Sequence, residues 1–204
     1  MENNYWIVNE WLIFKPKFNE ELSKYYSIIN KYKKIMFSNY NDPLIAIETN
    51  NEYKNKYHTN YIKSEFNQES EFNQEIDLSN NINLTHLTFG WKFNQEIFIP
   101  LNIKSLNMCC CNNQYIINNL HNNIEELTIH QTNLNLNNLP NSIKKIYIEN
   151  YNKELNNIPN SIEYLELINY NLKIKKIPKN LKTVRCSNYY KYIDDFKNYA
   201  VITY

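Results

Sequence analysis

From residue 84 onward the apolar positions fall into a triplet, apolar-x-x-apolar-x-apolar, that recurs six times. The copies are Leu84/Leu87/Phe89, Ile103/Leu106/Met108, Ile124/Leu127/Ile129, Ile143/Ile146/Ile148, Ile162/Leu165/Leu167 and Leu181/Val184/Cys186. Their starts lie 19, 21, 19, 19 and 19 residues apart. Three residues before a triplet stands Pro100, Pro140, Pro159 or Pro178, with Asn81 and His121 in the other two copies. One residue before it stands Asn83, Asn102, Asn123, Ser142, Ser161 or Asn180, a small polar side chain in every copy. Proline ends the preceding segment and sets a turn, because it cannot donate a hydrogen bond and disfavours helix before it. The Asn or Ser that follows can bond backbone groups the turn leaves unpaired. The second half of the triplet alternates in and out, as a short half-buried strand does.

One such unit cannot stand alone. It buries three or four large apolar side chains at about 1.5–3 kcal/mol each, against about 1–2 kcal/mol per residue for ordering the backbone. Units must therefore stack and share their inward faces. The expected fold is mainly β: a solenoid of about six coils with a parallel sheet of short strands on one side. A coil of this length leaves room on its other side only for extended chain or a single helical turn.

The first 65 residues follow a different pattern. Asn19, Glu20 and Glu21 suggest a helix start, with Leu22, Tyr25, Tyr26, Ile29 and Tyr32 at helical spacing. Lys34–Phe37 and Leu44–Ile47 flank a polar segment ending in Asp42-Pro43 and suggest a hairpin. Alternatively, residues 32–41 align with residues 143–152 as a degenerate repeat capping the array. The boundaries expected are an α+β N-terminal cap or degenerate repeats at 1–65, the repeat array at 66–186 and a Tyr-rich C-terminal cap at 187–204. Two copies of Glu-Phe-Asn-Gln-Glu, at 65–69 and 71–75, suggest a loose connector.

Phe72-Asn73-Gln74-Glu75-Ile76 and Phe93-Asn94-Gln95-Glu96-Ile97 lie 21 residues apart, and Ile97-Phe98-Ile99-Pro100 closes the second. This resembles the FNIP repeat, a leucine-rich-repeat relative common in social amoebae and in giant viruses that infect amoebae. The resemblance covers roughly residues 66–186; later units keep Pro-Asn-Ser-Ile (140–143 and 159–162) but lose Phe-Asn-Gln. It implies a leucine-rich-repeat-like fold and protein–protein interaction. Some members join the repeats to an F-box that recruits a ubiquitin ligase, which would make the chain a substrate-recognition adaptor. Residues 1–65 lack that module's Leu-Pro start and its aliphatic-Trp pattern.

Composition narrows the choice of chemistry. The chain has 204 residues, a net charge of +1, 18 Tyr and a single Gly. It also has about 40 Asn, far above the usual share. Such a bias is what AT-rich coding produces. One glycine excludes glycine-rich phosphate loops and dinucleotide fingerprints, and one arginine argues against bidentate reading of phosphates or guanines. No run of 18 apolar residues is present, so no membrane helix is expected, and residues 1–14 do not resemble a secretory signal. Four cysteines, three of them consecutive at 109–111, do not form a disulfide framework. The compartment expected is reducing and intracellular, the cytoplasm.

No cofactor and no metal is expected. Cys186 lies in register with Met108 four strands away, roughly 19 Å, beyond disulfide or shared-metal reach. His86 and His130 fall two strands apart near opposite strand ends, with no aspartate in register beside either. No serine or cysteine sits in a nucleophile motif, so no enzyme is visible. The basic run Lys173, Lys175, Lys176, Lys179, Lys182 and Arg185 has no acid within it. An anionic or nucleic-acid patch at 173–185 is the alternative function, although a solvated edge is the expected reading.

The leading expectation is a protein-binding scaffold that uses the concave sheet face. Its candidate residues are Thr88, Asn107, Thr128, Tyr147, Glu166 and Arg185, beside the inward Leu or Ile. His86, Ser105, Glu126, Lys145, Tyr164 and Thr183 flank them. Tyr147, Tyr164 and Arg185 are the expected anchors, since Tyr and Arg are enriched at binding hot spots. In this register Ile146 points inward and Tyr147 faces solvent, so Tyr147→Asp should cost far less than Ile146→Asp.

Overall fold

A computed structural model describes residues 3–52, 70–109 and 111–204. Each repeat turn is closed by a backbone bond from the first triplet residue to the proline position. Ile103 donates to Pro100, Ile143 to Pro140, Ile162 to Pro159 and Leu181 to Pro178, over 2.9–3.3 Å. Leu84 and Ile124 do the same to Asn81 and His121. The small polar residue then reaches back to the preceding coil. Asn123 Nδ2 donates to the carbonyl of Leu101 (2.8 Å), Ser142 Oγ to that of Ile124 (2.7 Å) and Ser161 Oγ to that of Ile143 (2.8 Å). Asn102 Nδ2 bonds the carbonyls of Asn81 and Leu84. In these four copies the register is polar because it holds a donor.

Ten strands form one sheet in sequence order among the described residues. They are β1 Tyr5–Val8, β2 Trp11–Phe14, β3 Lys34–Phe37, β4 His86–Phe89 and β5 Ser105–Cys109. They continue with β6 Glu126–His130, β7 Lys145–Glu149, β8 Tyr164–Ile168, β9 Thr183–Cys186 and β10 Ala200–Thr203. Only β1 runs antiparallel to its neighbour; β2 through β10 are parallel. The six predicted triplets are β4–β9, paired in the register read from the sequence: Leu87, Leu106, Leu127, Ile146, Leu165 and Val184 face one another. This is a mainly-β solenoid. The one coil of 21 residues accommodates a short helix, α3, Gln114–Asn118, whose first turn is capped by Asn113 Oδ1 accepting from Ile116 N–H.

The motif phenylalanines build the interior of the first coils. Phe18, Phe72 and Phe93 stack at 5.6 and 5.8 Å, beside a second column of Phe14, Phe37 and Phe89 at 5.2 and 6.3 Å. The asparagines that follow form a ladder. Asn19 Oδ1 accepts from Asn73 N–H (3.0 Å), Asn73 Oδ1 from Asn94 N–H (2.8 Å) and Asn112 Oδ1 from Asn133 N–H (2.8 Å). Phe18-Asn19 is thus a further copy of the Phe-Asn motif. The helix expected to start at Asn19 is reduced to a 3-10 turn, Leu22–Tyr25, and α1, Tyr26–Ile29. Residues 71–75 pack into the array rather than forming a loose connector: Phe72 is buried. The copy at 65–69 lies outside the described residues. In later coils tyrosines take over the column, with Tyr151, Tyr170 and Tyr190 spaced 6.5 and 6.3 Å apart.

The hairpin expected at 34–47 does not form. Lys34–Phe37 is strand β3, paired in parallel with β2 and β4. Residues 44–47 lie in α2, Pro43–Glu52. Asp42 caps this helix, its Oδ1 accepting from Leu44 and Ile45 N–H, and Pro43 occupies a first-turn position where no amide is needed. Asp-Pro, taken as a turn, is here a helix start. Asn39 and Ser70, 31 residues apart in sequence, meet beside this helix's coil. Asn39 Oδ1 accepts from both Ser70 N–H (2.9 Å) and Trp91 N–H (3.1 Å).

The single glycine stands at that junction. A Cβ on Gly90 would lie 2.2 Å from Ser70 Cβ and 2.8 Å from the Phe37 carbonyl oxygen. Gly90 does not have a positive φ, and the left-handed positions go to amide side chains instead: Asn9, Gln131, Asn150 and Asn169 have φ between 47° and 54°. Gly90→Ala is therefore expected to lower stability by about 1–3 kcal/mol, read as a fall in the urea midpoint. In the ladder, Asn73→Ala is expected to cost about 1 kcal/mol and Asn73→Asp less, since the carboxylate keeps the acceptor for Asn94. An equal loss for both would show that the acceptor is not what matters.

Candidate interaction surface

Period-2 alternation turns one side chain of each strand pair to the main core and the other to the open face, which is the concave face of the expected solenoid. Reading register across that face, the middle row is Ile13, Met36, Thr88, Asn107, Thr128, Tyr147, Glu166 and Arg185. The row of strand starts is Trp11, Lys34, His86, Ser105, Glu126, Lys145, Tyr164 and Thr183. The character changes along the array. The middle row is apolar over β2–β3, small and polar over β4–β6, then aromatic and charged over β7–β9.

The candidate residues lie on the expected face, but the middle row does not face solvent. Thr88, Asn107, Thr128, Tyr147 and Glu166 are all buried, Tyr147 at 5% exposure and Glu166 at 0%. The expectation that Tyr147→Asp costs little is corrected accordingly. Neighbouring parallel strands place in-register side chains one strand spacing apart, and large ones cover each other. The Tyr147 and Tyr164 rings lie 5.4 Å apart, and burial raises both phenol pKa values. Tyr164 Oη donates to Glu166 Oε2 (2.7 Å) and Arg185 Nη1 to Glu166 Oε1 (3.0 Å). Tyr204, which the sequence did not single out, completes the cluster. Its ring lies 5.5 Å from the Arg185 guanidinium, its hydroxyl donates to the Leu167 carbonyl (3.0 Å), and burial pushes its pKa up to about 12. Exposure on this face survives mainly in the strand-start row, above all at Lys145, whose Nζ lies 2.7 Å from Glu126 Oε1.

At the other end α2 lies on the open face. Ala46 is buried among Trp11, Ile13, Met36 and Tyr40, a cluster separate from the main core. From the next turn, Asn50 Oδ1 accepts from Thr88 Oγ1 (3.1 Å) and Asn107 Nδ2 (2.6 Å). Thr88 and Asn107 are thus tied to α2, while Thr128 stands in register beside Tyr147. Asn50 is a second residue the sequence did not flag. Asp42-Pro43 would have revealed the helix, but not where it lands.

Charges are paired between coils. Lys173 meets Asp195 (3.3 Å), Lys175 Glu154 (3.0 Å), Lys182 Glu163 (2.6 Å) and Arg185 Glu166 (3.0 Å). The basic run that has no acid in sequence thus acquires its acids from neighbouring coils, which weakens the case for an anionic patch at 173–185. Lys182 and Lys175 in turn hold Glu163 and Glu154 below the ordinary carboxylate range. His130, read as having no aspartate in register, has Glu149 in register on the next strand at 3.6 Å. Cys111 and Cys186 are buried thiols; Cys111 Sγ donates to the Phe93 carbonyl. Among the described residues no three His, Cys, Asp or Glu side chains gather as a metal site, and no helix is long and apolar enough to cross a membrane.

Residues 130–170, which run from the end of β6 past β8, match the FNIP repeat family. Among solved structures the chain is similar to the crystal structure of CroV588, described as a novel circular LRR protein structure. The identity is 22% and the TM-score 0.47, over 91% of this chain and 38% of that one. No curated protein matches the sequence.

The Glu166 carboxyl is held above its ordinary range by burial, against the opposing pull of Tyr164 and Arg185. A carboxyl whose pKa is higher folded than unfolded binds protons more tightly in the folded state. Its contribution to stability therefore falls as pH rises from the unfolded value through the folded one. Glu166→Gln removes that titration. The difference in Tm, wild type minus Glu166→Gln, is expected to shrink as pH is raised from about 4 to about 7. A difference that grows instead would mean that Arg185, not burial, governs this carboxyl.

Proposed function

We propose that the chain is a non-catalytic protein-interaction module whose partner docks on the open face over β6–β9. The carrying observation is the split between the two rows. The middle row is buried into a fixed platform of tyrosine, carboxylate and guanidinium, while the strand starts Glu126, Lys145, Tyr164 and Thr183 retain exposure above it. Tyrosines held by neighbours lose little entropy on binding, which favours them as anchors. The FNIP match at 130–170 covers β7 and β8 of this part of the sheet and fits a binding role. The paired carboxylates and lysines around it fit the same role, since each is engaged in holding one coil to the next.

The test is affinity capture from the lysate of cells expressing the chain, followed by the same capture with a Lys145→Glu/Tyr164→Ala double variant. A variant of the exposed residues Phe98 and Leu101, changed to Ser, serves as the control. Proteins captured by wild type and by the control are expected to be lost with the double variant. Retention by the double variant with loss in the control would move the surface to the opposite side of the coil.

A further inference from the structure

We infer that α2 is an intramolecular occupant of the open face, seated where a partner's helix would bind. Three observations converge on this. First, α2 engages the face as a docked helix does: Ala46 is buried, Ile45 and Ile47 on either side of it pack half-buried against the same apolar cluster, and Asn50 follows one turn later, while Leu44 and Glu48 face solvent. Ala46 sits on the apolar strands and Asn50 hydrogen-bonds Thr88 and Asn107 on the small polar ones. Second, the helix does not belong to the repeat. It lies between Asn39 and Ser70 in sequence, and those two residues are hydrogen-bonded to each other, so the coils on either side are tied through Asn39 without it. Third, the fit is incomplete. A void of about 10 Å³, roughly one water, remains between helix and sheet, lined by Trp11, Asn50, His86, Ser105, Asn107 and Thr128. Asn107 Oδ1 is buried there with no hydrogen-bond partner among the described residues.

The face over β2–β5 therefore recognises a short helix that presents a small residue and, one turn later, a side-chain oxygen acceptor. A partner segment of that chemistry competes with α2. This rests on the reading of the open face as the partner surface, but it adds that half of the surface is withheld until α2 leaves.

Two measurements test it without a partner, so its failure is separable from failure of the docking surface over β6–β9. In hydrogen exchange on the wild-type full chain, amides of 44–52 are expected to exchange at least a hundredfold faster than those of β6 and β7. Equal protection would make α2 a fixed layer and overturn the inference. The second measurement uses a fluorescent synthetic peptide of residues 42–52 and the full-length Ala46→Glu variant, whose own helix is driven from Trp11 and Met36. The peptide is expected to bind this variant at least tenfold more tightly than it binds wild type. A peptide carrying Asn50→Leu is expected to bind the variant at least tenfold more weakly. Equal binding to both proteins, or no binding to a variant whose circular dichroism is unchanged, would overturn the inference.

Discussion

Every coil here depends on hydrogen bonds that it cannot make for itself. A turn built on Pro leaves carbonyls of the preceding coil unpaired, and an unpaired buried carbonyl costs about 1–3 kcal/mol. Asn102, Asn123, Ser142 and Ser161, each just ahead of its triplet, supply the missing donor, as Ser142 does for Ile124 and Ser161 for Ile143. On the return side Asn19, Asn73 and Asn112 supply acceptors for amides one coil on. Because each bond spans one repeat, strand register, the phenylalanine columns and the order of the open face all follow from it.

The same nearest-neighbour logic shapes the surface. In-register side chains one strand apart meet their equivalents in adjacent coils, so charges pair between coils and rings cover each other. The middle row becomes platform, and the strand starts become the accessible layer. Where the row is apolar, at Trp11, Ile13 and Met36, the protein covers it with α2. Where it is aromatic and charged, Tyr204 folds back over Arg185.

The six central strands were legible because the triplet repeats at constant spacing, and a period-2 pattern assigns faces without ambiguity. The same pattern puts the candidate residues on the side of the sheet away from the main core. Their burial was not legible, since it depends on the size of the residue one coil away rather than on any local pattern. Phe18-Asn19 was missed because Asn19 lies 54 residues before Asn73, outside the spacing that revealed the other copies. Asp42-Pro43 fitted both a turn and a helix start, and only the apolar patch of Trp11 and Met36, assembled from distant segments, settles it as a helix. Nothing in the Tyr-rich tail distinguished Tyr204 from its neighbours.

The central claim is that coil-to-coil bonding makes β1 through β10 one cooperative array. All three tryptophans, Trp6, Trp11 and Trp91, lie in its N-terminal part, whereas Ile146 is fully buried in β7. Placing an unpaired carboxylate there with Ile146→Asp is expected to cost several kcal/mol. Urea unfolding of that variant, followed by tryptophan fluorescence and by far-UV circular dichroism, measures whether the cost is shared. The account predicts that both midpoints fall together and by the same amount. A tryptophan midpoint that stays at its wild-type value while the dichroism midpoint falls would contradict it.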